Sequence, residues 1–462
     1  MTQSATFDTT DPEDIAGRPK PTYQQVLDHD SHQPDACLRA TSYADLGSES
    51  VPVERYVSAD YLAREIRLMW KKVWQMACRE EEIPEPGDQI VYDIADSSVL
   101  IVRTEDNSIR AFVNSCLHRG RKLRAEAGNA PQIRCKFHGW SWNLDGSVKS
   151  IPCRWDFPNL SDEDAHLREV RVDSWGGFVF INFDKDAISL QEYLGVLPEH
   201  FANWRLEDCY KSVHLAGIMD CNWKVAQEAF MESYHVIATH PQILPFFADA
   251  SAQYDVFGDH VNRNLAAFGV PSPHMAGTEP DESQIVGAML TMWGQNKLLD
   301  VKNKEEIKAR RELGDIARTA FTRAYGKDHS SVSDAEVLDA LVYNVFPNFA
   351  PWGGFAPNIV YRWRPNGLDV NSCIMEVMIL KRCPPDAPRP KPAEMRWIDK
   401  GQPWSDAPEL PILGPVIDQD ISNMGLVQDG LRSSATGKVE LAQYEELRIR
   451  HFHQTLEKYV GA

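Results

Sequence analysis

The sequence contains no run of about 20 apolar residues, the length a helix needs to cross a bilayer, so no membrane span is expected. It has no Gly-rich dinucleotide fingerprint and no flavin motif, so any nicotinamide chemistry must be supplied by another chain. It has no internal repeat and no low-complexity tract. Its 9 cysteines follow no disulfide-like rhythm, and seven of them (Cys37, Cys78, Cys153, Cys209, Cys221, Cys373, Cys383) read as ordinary reduced thiols. The opening MTQSATFDTTDPED lacks the basic and apolar regions of a secretion signal, and a cytoplasmic protein is expected. Basic residues are in the minority: 48 Lys and Arg stand against 67 Asp and Glu, for a net charge of −19. That balance argues against nucleic acid and anionic membranes as partners.

What is present is a chain of 462 residues with 43% hydrophobic residues, enough for two or three domains with buried cores. The densest chemistry lies between Asn114 and Trp142. Cys116-Leu-His118 is followed, after 16 residues, by Cys135-Lys-Phe-His138. Each of two short loops offers one thiolate and one imidazole. A [2Fe–2S] centre with two Cys on one iron and two His on the other uses that donor set. Gly139 follows the second His, and a residue without Cβ lets the loop fold close to a cluster. Zinc is the alternative for two Cys and two His, but zinc sites usually pair Cys with Cys and His with His along the chain. The split seen here resembles the Rieske pattern CxH…CxxHGW. Respiratory-chain Rieske proteins carry two further cysteines that lock the loops, and Arg121 and Phe137 stand at the corresponding places here.

The surrounding segments alternate with period two. DQIVYDI (88–94), SSVLIVRT (97–104) and SIRAFVNS (108–115) read as short strands. Asp145-Gly146 marks a hairpin, and EVRVDSWGGFVFINFD (169–184) brings two more strands. Ahead of them, residues 58–75 show helical spacing with Ser58 as N-cap. Residues 1–45 form an arm, either packed on a neighbouring subunit or loosely ordered. Residues 46–185 are expected to form the all-β cluster domain, and 186–462 a second, catalytic domain. In the latter, helices are expected from Asn222, across 282–326, and at 412–430 and 440–459. Ser333 is an N-cap, NIVYRWRP (358–365) and NSCIMEVMILKRC (371–383) are strands, and 384–392 is a Pro-rich loop.

The second constellation is NWKVAQEAFMESYHVIATHP (222–241). Glu228, Glu232 and His235 are spaced four then three apart, as on one helix face. His240 lies five beyond His235, and at 3.6 residues per turn the two diverge by about 140° on an unbroken helix. They can share a metal if the helix breaks between them, and Pro241 disfavours helix at His240. Two His and one carboxylate on one side of an iron leave the opposite positions open to O2. The carboxylate is expected from PVIDQDISN (415–423), either Asp420 or Asp418.

With both motifs in view, the chain resembles the large (α) subunit of the Rieske non-haem iron, ring-hydroxylating oxygenases over residues 45–460. The second motif is similar to the family pattern NWK…E…(D/E)xxHxxxxH followed by Asp-x-x-Asn. Here that last element is Asp420-Ile-Ser-Asn423, which favours Asp420. The resemblance implies an α+β protein: a Rieske [2Fe–2S] β-domain and a helix-grip (START-like) domain, an antiparallel sheet curled around a long helix. It implies a mononuclear Fe(II) on His235, His240 and Asp420. Electrons would come from NAD(P)H through a reductase, with or without a ferredoxin. O2 and a small organic substrate would be consumed. A carboxylate three residues before the first iron His joins the cluster of one subunit to the iron of the next, which implies a head-to-tail trimer. Here that residue is Glu232 where Asp is commoner, a feature similar to oxygenases of quaternary ammonium compounds. A small β subunit is left open. An aromatic or other cyclic hydrophobic substrate is the first expectation, and N-demethylation or C–N cleavage of a quaternary amine the second. Outside enzymes, a Rieske electron carrier and a zinc-stabilised ligand-binding protein are the competing classes. Arg119, Arg121, Lys122, Arg124, Arg134 and Lys136 form a basic island in an acidic chain and are expected to dock an acidic electron donor.

Overall fold

The computed structural model describes residue 15 and residues 17–295, 308–355 and 358–461. Residues 1–14 and 16 of the expected arm and 296–307 of the expected helical region lie outside the described residues.

Two sheets organise the chain. The first has seven strands, in the order Gln75–Arg79, Phe178–Asn182, Glu169–Trp175, Ile109–Val113, Ser97–Arg103, Asp88–Ile94 and Gly128–Asn129. The strand Ser97–Arg103 does not alternate in burial as its expected period of two implied. Val99, Leu100, Ile101 and Val102 are fully buried because the sheet is covered on both faces at its middle. A three-stranded sheet, Ile133–Arg134, Ser141–Trp142 and Val148–Ser150, sits beside it and carries the second Cys–His loop. The hairpin at Asp145-Gly146 falls where the turn residues place it.

The second sheet has eight strands, in the order Gln253–Phe257, Val261–Ala266, Ala340–Val345, Phe349–Pro351, Asn358–Asn366, Asp369–Arg382, Cys209–Met219 and Arg396–Trp397. Every pairing is antiparallel except the last. Its inner face holds the helices Trp223–Glu228 and Leu447–Val460, which is the helix-grip arrangement. Its outer face packs on the first sheet. Phe349 meets Phe178 and Phe180 with ring centroids 4.9 and 5.3 Å apart. Arg362 donates to the backbone oxygens of Met76 and Ala77 at 2.8 and 2.7 Å. Its charge is met by Glu376, whose pKa Arg362 and Arg364 hold well below the usual carboxylate range although burial opposes them.

Three local expectations are corrected. The helix that begins after Ser58 is α-helical over Ala59–Glu65 and then widens to a π-turn over Ile66–Trp70, where it ends. Residues 51–70 do not join the cluster sheet, as a boundary at 46 implied. They pack on the catalytic side, through Trp70 against Trp223 at 5.0 Å and a fully buried Glu65–Lys224 pair at 2.6 Å. The described part of the arm lies against its own chain rather than extending away. Asp30 pairs with Arg310 at 2.7 Å, and Arg263 donates to the carbonyls of Cys37 and Ala40 at 2.8 Å each.

Candidate metal centres

The two Cys–His loops are built alike. In the first, the N–H of Cys116 donates to Arg121 O at 2.9 Å and the N–H of Gly120 to Cys116 O at 2.8 Å. In the second, the N–H of Cys135 donates to Trp140 O at 2.8 Å and that of Gly139 to Cys135 O at 3.1 Å. Both loops turn on a glycine at positive φ, +71° at Gly120 and +80° at Gly139, which a Cβ would disfavour. The sequence reading singled out Gly139 and missed Gly120, although each stands four residues after its Cys.

This geometry buries both sulfurs and brings the imidazoles of His118 and His138 to 4.5 Å between ring centroids. His118 stacks on Trp140 at 5.2 Å and meets the edge of Phe157. Burial pushes the Cys116 thiol up, and Cys135 beside it adds to the rise. A bound cation reverses that preference, since a coordinating thiol is deprotonated outright. The Nδ1 of His118 is buried without a hydrogen-bond partner. A buried polar nitrogen, two adjacent buried sulfurs and a second imidazole fit a [2Fe–2S] group. Phe137 and His138 are exposed at the tip, with Arg119 over the Phe137 ring at 5.1 Å. Arg121, Arg134 and Lys136 are exposed around them, whereas Lys122 is paired with Asp93 at 2.8 Å and Arg124 donates to Gln89.

The second donor set lies across three segments. The helix capped by Asn222 stops at Glu228 rather than running through His235, so Glu228, Glu232 and His235 do not share a continuous helix face. Tertiary partners take over the backbone there. Tyr254 Oη accepts the N–H of Ser233 at 3.0 Å, and Glu232 accepts that of His235 at 2.8 Å. One turn of helix, Val236–Thr239, follows, with His235 at its start and His240 at its end. The chain then turns away at Pro241. That turn is what brings two histidines five apart to one point, with ring centroids at 5.1 Å.

The helix Leu413–Arg432 supplies the carboxylate. Asp420 Oδ1 is 2.9 Å from His240 Nε2 and 3.5 Å from His235 Nε2. The three donor atoms lie within 4.8 Å of one another, and Asp420 and His240 are buried. Asp418 is elsewhere. It accepts the backbone N–H groups of Trp404 and Ser405 at 2.7 and 3.0 Å and fixes that turn.

The outer nitrogens of both histidines are engaged. Glu232 Oε1 is 2.7 Å from His235 Nδ1, and Gln419 Oε1 is 2.8 Å from His240 Nδ1. Each Nε2 is thereby turned toward Asp420. Desolvation works against charge on His235, but the Glu232 hydrogen bond and the carboxylates of Glu232 and Asp420 outweigh it and raise its pKa. Such a site is built to hold positive charge, and its two imidazoles and carboxylate fit an octahedral iron with open positions. Gln419 was missed from sequence. Its signal was its place beside Asp420 on the same helix. A cavity of about 340 Å³ adjoins the site, lined in part by Glu228, Glu232, His235, Asp420, Asn423 and Met424.

A β-domain with a paired Cys–His loop set, joined to a helix-grip domain with a two-histidine, one-carboxylate set, defines the class of two-centre Rieske iron proteins. Residues 73–161 match the model of the Rieske [2Fe–2S] domain, and residues 198–462 that of the ring hydroxylating alpha subunit, catalytic domain. The chain belongs to the ring-hydroxylating α-subunit family. It is 34% identical over 228 residues to the large oxygenase component of the naphthalene 1,2-dioxygenase system of Pseudomonas fluorescens, covering 46% of this chain and 47% of that one. It is 31% identical over 191 residues to the biphenyl 2,3-dioxygenase subunit alpha of Rhodococcus jostii (strain RHA1), covering 40% and 42%. The matched stretch thus spans about half the length of these curated relatives. In fold, the chain is similar to a quaternary ammonium Rieske monooxygenase, with a TM-score of 0.64, 17% identity and coverage of 91% and 100%. It is also similar to naphthalene 1,2-dioxygenase from Rhodococcus sp. bound to indole, with a TM-score of 0.61, 19% identity and coverage of 89% and 94%. No helix among the described residues is long and apolar enough to cross a membrane.

Proposed function

We propose that this chain is the terminal oxygenase component of a multicomponent system. It would use O2 and electrons from NAD(P)H, passed through a reductase and a ferredoxin, to hydroxylate or dihydroxylate an aromatic or other cyclic hydrophobic compound. The observation that carries this reading is the trio His235, His240 and Asp420, whose donor atoms lie within 4.8 Å of one another. An electron carrier has no use for it.

Cys116, His118, Cys135 and His138 would hold the cluster, and His235, His240 and Asp420 the mononuclear iron. Together these groups supply one-electron transfer and O2 activation when bound. The residues of the chain do the rest. Glu232 and Gln419 orient the two imidazoles and raise their basicity. His138 and Phe137 stand exposed where a second copy can reach the cluster edge. Glu232 is offered to such a copy from a cavity that also contains Glu228 and Glu446. Basic side chains around the tip match that acidic lining, which supports a head-to-tail trimer with Glu232 as its electron bridge. The quaternary ammonium Rieske monooxygenase of similar fold is described with inter-subunit electron transfer, which supports transfer between copies here. The part of the basic island that such a trimer leaves uncovered is the proposed docking face for the ferredoxin.

A second reading is oxidation of a quaternary ammonium compound. Phe230, Tyr361 and Trp363 gather with centroids 4.8, 5.3 and 5.5 Å apart, and burial together with Asp420 raises the Tyr361 pKa. Such rings accept a trimethylammonium group by cation–π contact as readily as an arene.

The test is a product screen of iron-replete protein driven by hydrogen peroxide, with aromatic acids, polycyclic hydrocarbons and quaternary amines offered together. A diol or phenol supports the first reading. Formaldehyde or an aldehyde from an amine supports the second. Absence of oxygenated product with both iron centres loaded removes both readings.

A further inference from the structure

The inner face of the catalytic sheet, behind the histidine-bearing segment, is rich in hydrogen-bond donors that have no acceptor. Cross-strand pairing places Tyr254, Asn264, Val342 and Trp352 in one row on that face, and Val256, Asn262 and Asn344 in the next. Asn264 Nδ2, Asn344 Nδ2, Trp352 Nε1 and Trp363 Nε1 are buried without partners. Ser233 ties this face to the iron site. Its hydroxyl is 3.4 Å from Asn264 Oδ1, and it stands two residues before His235.

Arg448 projects onto the same face from the helix Leu447–Val460. Its Nε donates to Asn262 Oδ1 at 2.8 Å, while its Nη2 is buried and unpartnered. It is 1% exposed, and no carboxylate lies within ion-pair distance of it among the described residues. Among the described residues, Arg450 is also buried without an ion pair, but its guanidinium is met by the carbonyls of Ala442, Glu49 and Leu441, and other large buried arginines have carboxylate partners. Arg263 pairs with Asp255, Arg310 with Asp30 and Asp339, and Arg362 with Glu376. Burial holds the pKa of Arg448 down to about 9, against the opposing charges of Tyr254 and Glu232. A buried guanidinium without a counter-ion is costly unless something brings the missing charge. Two acceptors, Gln227 Oε1 and Asn348 Oδ1, are also unpartnered, but donors are the larger group. A plain hydrocarbon would leave all of these donors unsatisfied.

We infer that the substrate carries a carboxylate, held on the inner face of the catalytic sheet by Arg448 and Asn264. This narrows the proposed function to organic acids and rests on that reading. Guanidinium and amide N–H groups suit a carboxylate in geometry as well as sign. The reacting end of the acid would then lie toward His235, His240 and Asp420.

The experiment is calorimetric titration of the intact protein with matched probes: benzoate beside benzyl alcohol, and glycine betaine beside choline. At least one acid is expected to bind about tenfold or more tightly than its partner, a difference read directly as a ratio of dissociation constants. Arg448→Met abolishes that preference and Arg448→Lys retains part of it. Asn264→Ala lowers it without touching the arginine, which keeps the test decisive where Arg448→Met does not fold. Equal binding of acid and alcohol, no binding of either acid at about 10 mM, or a preference that survives the variants overturns the inference. Iron and labile sulfide are counted on the same samples. A protein with both centres loaded and no acid preference refutes the carboxylate site alone. A protein that takes up no mononuclear iron refutes the oxygenase reading.

Discussion

Glu232 and His235 are joined twice. One carboxylate oxygen accepts the backbone N–H of His235 at 2.8 Å, and the other sits 2.7 Å from its Nδ1. The first contact fixes the chain and the second fixes the ring, so Nε2 has one direction open to it. Glu232→Gln keeps one acceptor but loses the charge that polarises the imidazole. We expect mononuclear iron affinity or turnover to fall about 10- to 100-fold, with the visible spectrum of the cluster unchanged. Iron titration and turnover measured together check this.

Asp420 and Asp418 stand two residues apart and do different work. Asp420→Ala should cost the mononuclear iron and leave the cluster in place. Asp418→Ala should retain both centres but lower the melting temperature, because it frees the N–H groups of Trp404 and Ser405. Loss of such a cap typically costs about 1 kcal/mol. Metal analysis and thermal unfolding of the two variants separate the roles.

Lys224 and Glu65 form a fully buried ion pair at 2.6 Å that ties the Ser58-capped helix to the catalytic helix. Burial already raises the Glu65 pKa against the pull of Lys224. Lys224→Met removes that pull and leaves a carboxylate without a cation, a change that costs about 3–5 kcal/mol. The double variant Glu65→Leu with Lys224→Met should recover much of the loss. Denaturant unfolding of the three proteins measures the difference.

Acid should destabilise the fold through buried histidines that belong to neither donor set. Burial holds His200 and His451 neutral, with pKa values lowered to about 4 from 6.5. Between those values the unfolded chain binds more protons than the folded one, so stability rises with pH across the window and is lost as pH falls from 6.5 toward 4. His451→Gln removes one titrating ring, and the slope of melting temperature against pH should flatten over that interval.

Much of this was legible from residue order, and the failures have physical causes. The bounds of strands such as Asp88–Ile94 and Ser97–Arg103 were readable from their apolar, β-branched residues between turn signals, although Ser97–Arg103 is buried continuously rather than in alternation. Ser58, Asn222 and Ser333 cap helices as their side chains suggest. The metal set was readable because its spacing is chemical, not conformational. The helix break at Glu228 was not readable. It depends on Tyr254 taking the Ser233 N–H and on His453 and Tyr56 drawing the Glu228 carboxylate. Those partners lie 21 to 225 residues away in sequence. The arm was illegible for the same reason, since Asp30 and Arg310 are separated by 280 residues.

The central claim is that one chain holds two different iron centres. Its most direct test is a count of iron and acid-labile sulfide per chain in the wild type and in Asp420→Ala. The account predicts three irons and two sulfides, falling to two irons and two sulfides in the variant. Two irons and two sulfides in both proteins would contradict it and leave an electron carrier.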